Sequence, residues 1–141
     1  MEEIKKAEQI AREAHKGQTR WDKTPYINHP KRVVMTFYDT EIDYRIVSWL
    51  HDVIEDTNIT AKDLINKGIS VKLVNVITIL SKTEDENYFD YIMRVSKDPI
   101  ATRVKIADIN DNMADGLKEG SMKDKYRLAR YILRKVRDTR W

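Results

Sequence analysis

A chain of 141 residues, 41% of them hydrophobic, is long enough for one domain around a single core, and the absence of cysteine excludes disulfides and any thiolate-held zinc or iron–sulfur centre. No apolar run nears the roughly 18 residues of a membrane span, and the opening MEEIKKAEQIAREAH lacks the apolar stretch of a signal peptide, so a cytoplasmic protein with no membrane partner is expected. The net charge of +3 is uneven: residues 121–141 hold eight Lys/Arg and two Asp, and the remainder is net acidic.

Helical periodicity dominates, with no internal repeat and no sustained alternation. Ile4, Ala7, Ile10, Ala11 and Ala14 form one stripe and predict a helix over about 3–16. The polar loop GQTRWDKTPYINHP follows. Pro30 suits the first position of a second helix over about 30–38, with His29 near its N-cap. Asp43 starts a third helix that runs on through HDVIEDT, residues 51–57. Thr60 and Asp63 resemble a capping pair for a short helix ending near Gly68. Ser70 caps the apolar VKLVNVITIL, SKTEDEN is a charged loop, and NYFDYIMRVSK is helical. Asp98 and Pro99 open a helix over 99–115, and a last helix covers about 122–138. The expected fold is all-α, a compact bundle of about eight helices.

HDVIEDT places four ionisable side chains in a segment that otherwise reads as buried helix. With His51 at 0° on an ideal helix, Glu55 falls at about 40°, Asp52 at about 100° and Asp56 at about 140°. Ile46, Val47, Leu50, Val53 and Ile54 cluster on the opposite side, between about 200° and 320°. A solvated acidic face is the ordinary reading of such a pattern. Three carboxylates on about one turn repel one another, however, unless cations compensate.

The helix over 99–115 carries a matching polar stripe. Around Asp108 lie Lys105, Asn112 and Asp115, at about 60°, 40° and 340°. A surface Asp108 paired with Lys105 is the plain alternative. His29, His51, Asp52 and Asp108 together would offer two imidazoles and two carboxylates, a set that suits a divalent first-row ion such as manganese, with positions left for water or substrate. His15 has no such company and reads as structural.

The ordered series GQTRWDKTPYINHP, HDVIEDT and VKIADINDNM resembles the HD-domain hydrolases of the RelA/SpoT alarmone enzymes, most of all small stand-alone forms such as the metazoan SpoT homologue, over about Ala7 to Met113. The resemblance implies an HD-domain helical bundle. It also implies manganese-dependent hydrolysis of guanosine 3′,5′-bis(diphosphate) and its pentaphosphate form, with release of pyrophosphate from the 3′ position and recovery of GDP or GTP. One ion would be held by His29, His51, Asp52 and Asp108. Glu55 and Asp56 would activate water, and Arg20, Lys82, Lys105 and Asn112 would contact the nucleotide.

Trp21 stands where many members have a second basic residue, and Asp111 adds a negative charge where the family often has a basic or aromatic one; both bear on the substrate more than on the metal. A neighbouring reading keeps the metal chemistry and takes another nucleotide, such as NADPH, with orthophosphate as product. The 141 residues leave no room for the synthetase domain of the long enzymes, so a single HD-type phosphohydrolase domain over 1–141 that only degrades is expected. A further alternative is a nucleic-acid or membrane binding module built on the last helix, where Met122, Tyr126, Ala129, Leu133 and Val136 back a dense basic face. A closing helix that completes the core accounts for the same pattern, and no nucleic-acid partner is expected.

Overall fold

Nine α-helices occur among the residues that the computed structural model describes, 2–114 and 120–141, and an isolated antiparallel bridge joins Thr19 to Pro25. They are α1 (Glu3–Ala14), α2 (Asn28–Met35), α3 (Ile42–Leu50), α4 (Val53–Asp56), α5 (Ala61–Asn66), α6 (Val71–Ile79), α7 (Tyr88–Val95), α8 (Pro99–Ala114) and α9 (Gly120–Arg140). The all-α expectation is met. Asp115, expected beside Asp108, lies outside the described residues.

The expected stripes face one core. Ala7, Ile10 and Ala11 of α1 are buried with Val33 and Val34 of α2, Ile46, Val47 and Leu50 of α3, Leu73, Val74 and Ile77 of α6, and Val104 and Ile109 of α8. Burying a side chain such as Leu50 contributes on the order of 1.5–3 kcal/mol. Helix α3 is central and packs on α1, α2, α6 and α8. Ala129 and Leu133 of α9 are buried in the same core, with Tyr126 and Ile132 packed against it. The apolar stripe of the basic helix therefore closes the bundle.

Three departures from the sequence reading have local causes. Helix α2 begins at Asn28, not Pro30, so His29 stands inside its first turn. A proline fits anywhere in that turn, where no backbone N–H is needed. The long helix through HDVIEDT is broken at His51 and Asp52. The Ser48 carbonyl, which a continuing helix would bond to the Asp52 N–H, accepts from His51 Nδ1 at 2.7 Å. Ser70 sits at the N-cap of α6 without capping it. Its N–H and hydroxyl donate to Glu3 instead, at 3.3 and 3.2 Å, tying α6 to α1.

Other helix ends follow the sequence signals. Asp98 caps α8 by accepting from the Ala101 N–H at 2.8 Å. Thr60 and Asp63 form the full reciprocal cap of α5, at 3.1 and 2.9 Å. Because this cap lies at the surface, Thr60→Ala is expected to lower stability by about 1 kcal/mol, read as a lower urea midpoint at unchanged slope.

Candidate active site

Four side chains from three separate segments meet where α2, α8 and the break after α3 converge. His29 comes from α2, His51 and Asp52 from the break, and Asp108 from α8; one ligand atom of each lies within 4.8 Å of all the others. Asp108 Oδ1 is 2.8 Å from His29 Nε2 and 3.2 Å from His51 Nε2. Asp52 Oδ2 is 3.0 Å from His51 Nε2 and 3.5 Å from His29 Nε2. His29, His51 and Asp108 are buried. The polar side of HDVIEDT is thus turned into the molecule at His51.

The outer atoms of this set are committed in a way that fits a metal. His51 Nδ1 donates to the Ser48 carbonyl, which leaves Nε2 as the lone-pair nitrogen of the neutral ring. His29 Nδ1 lies 2.6 Å from Asp111 Oδ2, and Asp111 is gripped by Arg32 at 2.7 and 3.1 Å. Tyr26 Oη donates to Asp52 Oδ2 at 2.6 Å. Lys105 Nζ donates to Asp108 Oδ2 at 2.8 Å. His29, His51 and Asp108 are each thus held through an atom that faces away from the cluster, the arrangement that fixes metal ligands, whereas Tyr26 engages the same Asp52 oxygen that faces the histidines. The four residues could hold a divalent ion, with N and O donors alone.

The charges are strongly coupled. Burial opposes charging His51, but Asp52 and Asp108 hold its pKa well above the usual range. Burial would raise Asp108, yet Lys105 and the two imidazoles hold it well below. Asp52 is likewise lowered, against burial, chiefly by His51. A cation held by these four residues would take the place of the imidazole protons in neutralising the carboxylates.

Glu55 and Asp56, on the single turn of α4, face different sides. Glu55 Oε1 accepts the backbone N–H of Lys82 at 2.7 Å and borders a cleft with His51, Asp52, Lys82, Lys105 and Asp108. Asp56 lines a separate hollow with Gln18 and Ile59, and its Oδ2 lies 3.2 Å from Tyr26 Oη. Burial, then Asp52 and Asp56, raise the Glu55 carboxyl; the Lys82 amide works against them. Burial, then Asp52, likewise raise Asp56. The Lys82 ammonium donates to the Thr83 carbonyl, 3.1 Å away. Arg20 donates to Asn112 Oδ1 at 2.9 Å, and Asn112 Nδ2 in turn approaches Asp108 at 3.4 Å. His29, His51, Asp52, Glu55, Lys82, Lys105 and Asp108 thus gather at one centre, Arg20 and Asn112 reach it through Asp108, and Asp56 stands apart, joined to it through Tyr26. His15 is buried against Tyr26, with ring centroids 4.8 Å apart.

Trp21 is exposed and lies outside the lining of that cleft. Asp111, set apart in the sequence reading as a charge bearing on the substrate, instead stands behind His29. The sequence carries half of that signal: Asp111 is three residues from Asp108, and Arg32 three from His29, so each pair shares a helix face, but it does not show that the two faces meet. Tyr26 and the aromatic side of the cleft were missed. Tyr88, Tyr91 and Tyr126, from α7 and α9, line it. The Tyr88 hydroxyl is buried without a hydrogen-bond partner among the described residues. Burial first, and then Tyr126 against the pull of Lys105, push its pKa up to about 12, so it remains a donor at neutral pH.

No protein-family model matches the chain. The bifunctional (p)ppGpp synthase/hydrolase SpoT of Escherichia coli K12 is 35% identical over 123 residues, covering 78% of this chain and 17% of that protein. The guanosine-3′,5′-bis(diphosphate) 3′-pyrophosphohydrolase of Aquifex aeolicus is 34% identical over 121 residues, covering 79% and 17%. Over most of its length the chain is similar to SpoT-type proteins. It spans about a sixth of the length of these curated relatives. Among solved structures, a metazoan orthologue of SpoT, described as hydrolysing ppGpp and acting in starvation responses, superposes with a TM-score of 0.78 over 99% of this chain and 87% of that one. At 20% identity that likeness establishes the shared fold.

Removing the carboxylate behind His29 tests the metal reading without any substrate. Asp111→Ala is expected to weaken manganese binding about 10- to 100-fold, measured by direct titration, while Asp111→Asn, which keeps an acceptor for the His29 N–H, loses less.

Proposed function

We propose that the chain is a metal-dependent phosphohydrolase domain, spanning residues 1–141, that removes the 3′-pyrophosphate of (p)ppGpp. The observation that carries this reading is the buried cluster of His29, His51, Asp52 and Asp108 beside a cleft bordered by Glu55, Lys82 and Lys105. The SpoT relatives include proteins named for synthesis as well as hydrolysis. A two-His, two-Asp cluster next to a raised carboxyl favours hydrolysis. The donor set favours one manganese ion over magnesium, because imidazole disfavours the harder cation. With no helix among the described residues long and apolar enough to cross a membrane, we place the activity in the cytoplasm, acting on a free nucleotide without nucleic acid or membrane.

In this mechanism Arg20, Lys82 and Lys105 bind the phosphate charges, with Asn112 holding Arg20 in place and the Tyr88 hydroxyl supplying one more donor. A bound cation supplies charge neutralisation at a phosphoryl oxygen. Glu55 accepts the proton of the attacking water as a bond forms to the phosphorus attached to the 3′ oxygen. That P–O bond breaks, a proton reaches the 3′ oxygen, and GDP or GTP leaves with pyrophosphate. Asp56, linked to Asp52 through Tyr26, assists from the other side of α4.

The direct test incubates manganese-loaded protein with ppGpp, pppGpp and NADPH and identifies the phosphate released. Pyrophosphate from the first two, abolished by a chelator and restored better by manganese than by magnesium, is the expected result; orthophosphate from NADPH alone transfers the site to that substrate. Glu55→Gln should reduce turnover about a hundredfold with metal content unchanged. A base works ionised, so a raised pKa moves the loss of activity to higher pH. Turnover should therefore fall as pH drops through a value above the ~4.3 of an ordinary glutamate, and this limb should vanish in Glu55→Gln.

A further inference from the structure

We propose that Arg94 is a positioning residue for Glu55 and acts through the turn between α6 and α7; the proposal rests on the role of Glu55 given above. Arg94 lies in the last turn of α7 and is not part of the cleft lining. Its guanidinium makes four bonds to that turn. Nε and one terminal nitrogen grip the two carboxylate oxygens of Glu86, both at 2.9 Å. The other terminal nitrogen donates to the Ile79 carbonyl at 2.8 Å, and the first also approaches the Ser81 carbonyl at 3.3 Å. Tyr91, one turn earlier on α7, donates from its hydroxyl to the carbonyl between them, that of Leu80, at 2.7 Å.

These carbonyls end α6, where backbone acceptors have no partner within their own helix. Side chains of α7 satisfy three in succession, so the direction of each peptide from 79 to 81 is set. The next group along the chain is the Lys82 N–H, which donates to Glu55 Oε1 at 2.7 Å. Among the described residues it is the only hydrogen-bond donor to that carboxylate. Glu86 closes the loop from its far end, where Oε1 also accepts from the Thr83 N–H at 3.3 Å. Helix α4 is one turn long and supplies little rigidity of its own. The orientation of Glu55 is thus imposed from outside, by an amide on a clamped turn. That amide engages one carboxylate oxygen and leaves the other for water. A misplaced base loses rate steeply, whereas the metal cluster and the phosphate contacts made by Arg20 and Lys105 do not pass through this turn; of the phosphate-binding residues only Lys82 lies on it.

The test compares Arg94→Ala, Arg94→Lys and Glu86→Ala with the unaltered chain and with Lys82→Ala. Arg94→Ala should lower kcat about 10- to 100-fold, with manganese affinity within about twofold and any rise in KM smaller than that of Lys82→Ala, and Arg94→Lys should recover part of the loss. Combined with Glu55→Gln, Arg94→Ala should add nothing further, since its effect is exerted through Glu55. Amide hydrogen exchange supplies a readout free of substrate: the Lys82 N–H should exchange faster in Arg94→Ala than in the unaltered chain. An unchanged kcat in folded Arg94→Ala, or losses that multiply in the double variant, overturns the proposal. If Arg94→Ala does not fold, Arg94→Lys, which cannot bond Glu86, Ile79 and Ser81 together, carries the comparison, and Glu86→Ala, which leaves the bonds to Ile79 and Ser81 in place, should show a smaller loss. If the unaltered chain releases no pyrophosphate, the hydrolase reading fails, and Lys82 exchange still decides whether the clamp exists: equal rates in both proteins overturn it.

Discussion

A buried carboxylate at the meeting point of three segments constrains everything around it. Asp108 is only 4% exposed, and a charge so placed is tolerated only when it is paired and hydrogen-bonded. His29, His51 and Lys105 all reach it, each from a different position in the chain. Its neighbours Ala107 and Ile109 are part of the hydrophobic core. Packing of α8 and neutralisation of Asp108 are therefore linked: with α2 or the α3 end displaced, Asp108 would lose an imidazole and keep Lys105, on its own helix, as its nearest cation. An apolar residue of similar volume would pack at least as well there. The charge is consistent with a site kept for chemistry, at some cost to stability.

Around that centre lies a ring of groups that orient it. The segment before α2, polar in sequence, is ordered as a narrow hairpin-like loop. Arg20 N–H donates to the Thr24 carbonyl and Tyr26 N–H to the Gln18 carbonyl, both at 2.9 Å, and Lys23 adopts a left-handed conformation at φ 70°. This loop delivers Tyr26 to Asp52 and Arg20 to Asn112. On the opposite side, the α6–α7 turn delivers the Lys82 amide to Glu55. The two acidic residues of α4 are thereby divided: Glu55 belongs to the cleft and Asp56 to the loop side. A single short helix presents them to different sides because residues 55 and 56 differ by about 100° in azimuth.

The break between α3 and α4 is part of the same design. An unbroken helix would keep His51 and Glu55 on one stripe, about 40° apart. By taking the Ser48 carbonyl with its own ring, His51 both ends α3 and fixes which of its nitrogens faces Asp108. One hydrogen bond thus sets the backbone course and the protonation pattern of an imidazole that faces the buried carboxylates.

The sequence by itself determined the helical class, most helix positions and the identity of the four clustered donors, because apolar periodicity and caps are local and His, Asp and Glu in spaced motifs declare their chemistry by type. It also determined that Lys105 and Asn112 flank Asp108, since residues three and four apart on a helix are neighbours whatever surrounds them. Only the tertiary structure decided where α3 ends, because a side chain there competes with the backbone for one carbonyl. Only it placed Asp111 behind His29 instead of beside the substrate, and only it brought Tyr26 to Asp52 and the Lys82 amide to Glu55. Those contacts join residues 26 to 82 positions apart. They arise from how helices pack, and a helical wheel contains no information about the partner across the interface.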